Sequence, residues 1–278
     1  MRLRHFFSAF IVTCTLGAQA GGVSNGLVDV DVVDDYGRSF PTFSTGQRHS
    51  QREHRAYLEA RPGEAYAIRV TNRSGGRVGL VIAVDGRNII SGRKSKLRSK
   101  EKMYVLGPWQ SAVYRGWRTS RNRINEFYFT SDLDSYAGAF GDFSAMGVVA
   151  VAAFEDRFAP QPHAYRDGVR KSQPEARSHK HGDAASERAA PGTGFGDERY
   201  APSYTVEFEP QSRTAGVTLI KYEWRETLCR MGVTRCGLRE NRFWPTTQYR
   251  GRHGDRGYAA YPPGYRQRET LVRSRRYQ

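Results

Sequence analysis

The chain has 278 residues, with 44 Lys and Arg against 28 Asp and Glu, a formal net charge of +16, and 38% hydrophobic residues beside 29 Gly and 12 Pro. So polar and turn-rich a composition predicts one folded domain with soft attachments, and no segment beyond the first twenty residues is long and uncharged enough to span a membrane. The basic surplus favours anionic neighbours, the other reading being a charge that only keeps the chain soluble.

Met1 to His5 is a short basic start, Phe6 to Gly17 an apolar run, and Ala18-Gln-Ala20 a small-x-small end, the three parts of a secretory signal in order. Cleavage after Ala20 places the mature chain in the periplasm or the medium. A lipid attachment at Cys14 is the alternative, but Thr13 is large for the residue before the cut. Cleavage removes Arg2 and Arg4 and lowers the charge to +14. In that compartment the partners expected are anionic envelope polymers or lipid headgroups, ahead of nucleic acid. The remaining cysteines, Cys229 and Cys236, predict a local disulfide in an oxidising compartment; a zinc pair lacks a second pair at ligand spacing.

Leu27 to Val33 alternates apolar and acidic residues, which predicts a half-buried strand with its aspartates on a solvated face. Thr42 to Arg55 is polar and aperiodic and reads as a linker, closing an N-terminal segment over 21–56. The sandwich core is placed at 57–160. Tyr66 to Thr71 and Arg77 to Val84, separated by Asn72-Arg-Ser-Gly-Gly76, read as a hairpin. Asp85-Gly86 and Asn88 to Ser91 read as a second one. Met103 to Leu106, Ser111 to Trp117 and Glu126 to Thr130 continue the rhythm; Met146 to Phe154 is apolar enough for a central strand, and Ser135 to Phe140 reads as one helical turn. Residues 161–199 form a disordered insertion by composition, with Gly192-x-Gly194-x-Gly196 as a flexible joint. Residues 200–243 return with strands at Tyr204 to Phe208 and Gly216 to Tyr222. A short helix then carries Trp224, Leu228 and Met231 on one face and stops at Gly232. Residues 244–278 are an Arg/Tyr/Gly-rich tail with eight arginines against Asp255 and Glu269, read as disordered. The fold class is therefore an all-β antiparallel sandwich of about seven to nine strands with a short C-terminal helix.

No histidine or cysteine falls between Tyr57 and Phe158; the histidines occupy segments read as mobile, such as His54 before the block and His163 in the insertion. A catalytic triad or a histidine-ligated metal needs preorganised groups, so neither is expected, nor is any cofactor. Carboxylates remain: Asp132, Asp134 and Asp142 are candidates for acid/base or calcium chemistry, and the first two are equally good turn and cap residues. Trp109, Tyr114, Arg115, Trp117 and Arg118 mix aromatic and basic groups suited to sugar rings or anions, with Arg115 and Trp117 expected on one strand face. Their alternative role is core packing.

Through Tyr66 to Asn72, Ala83 to Gly92, Met103 to Pro108, Gly116 to Ser120, Phe127 to Thr130, Asp134 to Ala137 and Lys221 to Cys229, the chain resembles a family of exported bacterial β-rich proteins with no known activity. The resemblance implies export and a β-rich domain, and carries over no ligand or catalytic residue. The function expected is an exported binding or structural module on anionic envelope material. The alternatives are a carbohydrate-active enzyme built on the carboxylates and a surface-assembly component.

Overall fold

The computed structural model describes residues 22–45, 52–158 and 190–234. The expected signal peptide, most of the expected insertion, Cys236 and the tail lie outside them. The strands are β1 (Val23–Ser24), β2 (Val28–Val33), β3 (Thr42–Ser44), β4 (Glu53–Ala60), β5 (Ala65–Asn72), β6 (Val78–Val84), β7 (Arg87–Asn88) and β8 (Tyr104–Leu106). There follow β9 (Ser111–Tyr114), β10 (Gly116–Arg118), β11 (Arg123–Ser131), β12 (Val148–Glu155), β13 (Pro191–Thr193), β14 (Glu198–Tyr200) and β15 (Gly216–Trp224). A 3-10 turn at Gly138–Phe140 lies where one helical turn is expected, and α1 (Arg225–Arg230) is the short helix.

These strands make two sheets. One runs β1-β2-β5-β11-β10, with β9 on β5 and with β13 and β14 on β11; the other runs β3-β4-β15-β12-β6-β7, with β8 on β6. The protein is mostly β and sandwich-like, and β12 is the central strand its apolar run predicts. Between the sheets, Val30 and Val32 of β2, Ile68 and Val70 of β5 and Phe127 and Phe129 of β11 meet Leu80 and Ile82 of β6, Val151 of β12 and Ile220 of β15, all buried in one cluster. The Tyr66 ring stacks at 4.3 Å on Phe129 and 5.4 Å on Phe127. Burying side chains of this size contributes roughly 1.5–3 kcal/mol each before ordering entropy is counted. All seven residues of β6 are buried, because its outer face is covered as well, Val81 packing with Ala152, Phe154, Leu97 and Met103.

Several local expectations change. The expected Tyr66 to Val84 hairpin does not form: β5 pairs with β2, β9 and β11, and β6 with β7, β8 and β12, so the 72–76 turn carries the chain from one sheet to the other. The Asn72 side chain fixes this crossover by donating to the Gly76 and Gly107 carbonyls, at 2.7 Å each. The second expected hairpin does form, β6 to β7 around Asp85 and Gly86, whose φ angles of 48° and 76° are the paired positive values of a type I′ turn. Linker residues Thr42 to Arg55 include β3 and the start of β4. In β4, Ala56, Leu58 and Ala60 alternate inward, and the strand runs parallel to β15, an exception to the antiparallel expectation.

The β2 aspartates share a face, but neighbouring arginines cover it. Asp31 is buried, sits opposite Arg69 in register and is ion-paired with it, while Arg73 reaches Asp29 at 2.5 Å. Tyr204 to Phe208 forms no strand, and the expected Ser111 to Trp117 strand breaks at Arg115 into β9 and β10. Helix α1 ends as expected: Gly232, at φ 71°, donates to the Cys229 carbonyl and Val233 donates to Leu228, a Schellman closure. Leu228 is buried under it, whereas Met231 is exposed.

The supposed flexible glycine joint is a packed edge, since Gly192 to Gly194 are buried and β13 pairs with β11. A Cβ at Gly192 would stand 2.6 Å from the Ser135 Cβ, and one at Gly194 would run into the Tyr128 ring. Gly194→Ala should therefore destabilise the protein by about 1–3 kcal/mol, read as a lower denaturation midpoint at unchanged slope. An unchanged midpoint would show that β13 is not held against Tyr128.

Candidate functional site

The five aromatic and basic candidates do not share one open surface. Trp109 is 68% exposed at a tight turn, with φ 57° and its N–H on the Ser74 carbonyl. Trp117, only 2% exposed, lies in the core, donating Nε1 to the Gly194 carbonyl at 2.9 Å and packing on Phe127 and Tyr136. Tyr114 is buried 4.4 Å from Tyr104, and burial pushes its hydroxyl pKa up. Arg115 stands in the break between β9 and β10, half-exposed and 3.9 Å from Asp35, whereas the Trp117 ring is in the core. Arg118 donates from Nε to the Tyr104 hydroxyl, and its Nη1 is shared among the carbonyls of Ser120, Arg121 and Ala201.

The candidate carboxylates are separately engaged. Asp132 accepts from the Leu133 N–H, and Asp134 accepts from the Ser131 hydroxyl at 2.6 Å, both local turn bonds. Asp142 is buried, meeting Ser144 Oγ at 2.7 Å, Lys94 Nζ at 3.1 Å and Arg87 at 3.6 Å. The Ser144 hydroxyl, then Lys94, hold its carboxyl below the usual range against the opposing effect of burial, the reverse of what a general acid needs. His54 stands on β4 rather than on a mobile linker, half-buried, with no hydrogen bond to Nδ1. Among the described residues no group of three or more His, Cys, Asp and Glu side chains could hold a metal ion.

Two features escape the sequence reading. The first is internal. Asp85 is fully buried; its Oδ1 accepts from the Gly147 N–H at 2.8 Å and the Tyr222 hydroxyl at 2.5 Å, and its Oδ2 from the Thr193 N–H at 2.7 Å. Thr193 Oγ1 lies 2.7 Å from the Tyr222 oxygen and 2.6 Å from the Tyr66 oxygen. Because Tyr222 spends its proton on Asp85, Thr193 donates to Tyr222 and Tyr66 to Thr193, leaving every hydroxyl satisfied. Burial nonetheless raises the Asp85 carboxyl to about 6, and burial together with the Asp85 charge puts Tyr66 and Tyr222 well above their ordinary value.

The second feature is external. Residues 93–102 form an irregular strap holding Arg93, Lys94, Lys96, Arg98, Lys100 and Lys102 against Glu101 alone. All six cations are exposed, whereas Leu97 and Met103 pack inward beside Val81 and Phe154. Glu101 organises the backbone: its carboxylate accepts from the N–H groups of Lys96 at 2.8 Å and Arg98 at 3.0 Å and from the Ser95 hydroxyl at 2.7 Å. Burial opposes its ionisation, but the Arg98 N–H, the Ser95 hydroxyl and the Lys96 N–H outweigh it and hold the carboxyl below its usual range. Lys94 alone among the six cations is ion-paired among the described residues, with Asp142. Elsewhere arginines are matched, as in Arg77 with Asp156, Arg199 with Glu126 and Arg225 with Glu59.

Comparison with known proteins adds no assignment. No family model matches the chain, and neither a curated protein nor a solved structure does. The chemistry must be read from these residues alone. The strap carries a signal that the sequence reading passed over, six cations within ten residues, though nothing in it foretells an ordered backbone. Asp85 had no such signal, since an aspartate in a turn looks the same in sequence whether it faces water or the core.

Asp85→Asn tests the buried cluster. The folded carboxyl, at about 6, takes up its proton before the unfolded one near 3.9, so this group adds stability as pH falls through that window and loses it as pH rises. The stability gap between wild type and Asp85→Asn should widen from pH 7 to pH 4 by up to about 3 kcal/mol in urea titrations. A gap constant over that range would mean that the three donors, not burial, set the folded pKa.

Proposed function

We propose that this chain is an exported β-sandwich module that holds to anionic material of the cell envelope. The arginine-rich tail serves as its electrostatic tether, and a Cys229–Cys236 bridge closes α1 onto the segment after it. The observation that carries the reading is the distribution of charge. Carboxylates of the folded part are drawn into pairs such as Arg69 with Asp31 and Arg77 with Asp156, while the basic surplus collects on the 93–102 strap and in the tail. A surplus gathered outside the paired network is available to an external anion and is sensitive to salt. Export follows from the N-terminal basic, apolar and small-residue pattern, and it makes envelope polymers and headgroups the anions within reach. The bridge is supported by the two cysteines lying seven positions apart, with Cys229 in the last turn of α1.

Removing the tail before Gln248 should weaken binding of the mature protein to lipopolysaccharide or anionic vesicles by about tenfold or more, and the remaining binding should fall as salt rises. Undiminished, salt-insensitive binding after truncation would overturn the tether.

A further inference from the structure

We propose that the 93–102 strap and the adjoining phenylalanines form a docking face for a lipid surface bearing phosphate headgroups. The inference rests on the envelope reading above and narrows it to one occupant and one face of the folded part.

Three observations favour a bilayer over a soluble polyanion. Arg93, Lys96, Arg98, Lys100 and Lys102 are exposed and have no carboxylate partner among the described residues, in a fold whose arginines are otherwise widely paired. Their backbone is already ordered by Glu101, so presenting the charges requires little further ordering. Large apolar rings also stand next to the cations. Phe140 is 59% exposed and Phe143 48%, and both flank Asp142, which holds Lys94 at 3.1 Å. The Arg87 guanidinium lies 4.3 Å from the Phe140 ring centroid and is bridged through its backbone to Lys94, so strap and rings are continuous. A dissolved polyanion can use the cations but gains nothing from exposed phenylalanines. At a membrane interface the rings enter the headgroup boundary while the cations meet phosphates, and both contribute.

The test uses the full mature chain and two variants, each first shown to melt cooperatively. One is Lys96→Gln, Arg98→Gln, Lys100→Gln and Lys102→Gln combined; the other is Phe140→Ser with Phe143→Ser. Binding is measured by flotation with phosphatidylcholine vesicles, with and without phosphatidylglycerol, and separately to dextran sulfate. The wild type should bind only the anionic vesicles, the charge variant about a hundredfold more weakly. The phenylalanine variant should lose vesicle binding but keep its affinity for dextran sulfate. Wild-type vesicle binding by the charge variant would overturn the docking face. Binding to dextran sulfate but not to anionic vesicles by the wild type would replace the lipid with a soluble polyanion and leave the envelope reading standing. Failure of the wild type to bind either would sink both. A tail-truncated chain that still binds vesicles, beside a charge variant that does not, would reject the tail tether and retain the strap.

Discussion

The Asp85 carboxylate draws together chain segments that are far apart in sequence. It stands in the turn between β6 and β7, accepts from the N–H of Gly147 ahead of β12 and that of Thr193 in β13, and accepts from the hydroxyl of Tyr222 in β15. Thr193 belongs to one sheet and Tyr222 to the other, so this polar chain crosses the apolar core where the sheets face each other. Three donors converge on it and no acceptor does. That favours the ionised form, while complete burial opposes it. A hydrophobic contact at the same place would tolerate sliding of one sheet on the other. A carboxylate with three directional bonds does not.

The two faces of the second sheet receive different covers. Its inner face meets β2, β5 and β11. Over its outer face, Val81 and Phe154 are covered by Leu97 from the strap and by Met103 just after it, and Phe208 packs beside Gly79. The strap therefore does two jobs, Leu97 packing on the sheet while its lysines and arginines turn to solvent. Lys94 is the join, since its ammonium meets the buried Asp142 carboxylate and anchors the strap to the segment that carries Phe140 and Phe143. Ion pairs elsewhere are largely exposed or half-exposed and add little stability each; their effect is to neutralise the carboxylates locally. Among the described residues, unpaired cations gather most densely on the strap.

Legibility in the sequence followed the range of the interactions. Strands with a clear period or a long apolar run, β2, β6, β12 and β15, are found where the pattern puts them, as is the glycine-terminated helix, because burial and capping act over a few residues. Pairing is another matter. Nothing in Asn72 to Gly76 distinguishes a hairpin turn from a crossover between sheets; the distinction lies in Asn72 reaching Gly107, far along the chain. Gly192-x-Gly194 resembles a flexible joint in composition, yet its glycines are there to admit Ser135 and Tyr128. In β4, the alternation of Ala56, Leu58 and Ala60 was present but hidden by charged neighbours. Of the two roles open to Trp117, binding or core packing, the fold takes the second, and its indole N–H meets a buried carbonyl there.

A loop with six cations would ordinarily be expected to move, since like charges repel and long side chains gain entropy by dispersing. Here the backbone is fixed from both sides of the chain. Leu97 and Met103 pack half-buried on the sheet, and Glu101 binds two N–H groups and a hydroxyl from the same loop with a carboxyl held ionised. The repulsion among the cations is therefore carried by the fold rather than relieved by rearrangement, and an approaching anionic surface relieves it instead. Only side-chain freedom is left to lose on binding, which for lysine and arginine costs less when the charged ends need not adopt one geometry. That combination, an ordered support and loosely specified cations, suits a partner whose charges are numerous and mobile in a plane better than one with a single fixed anion.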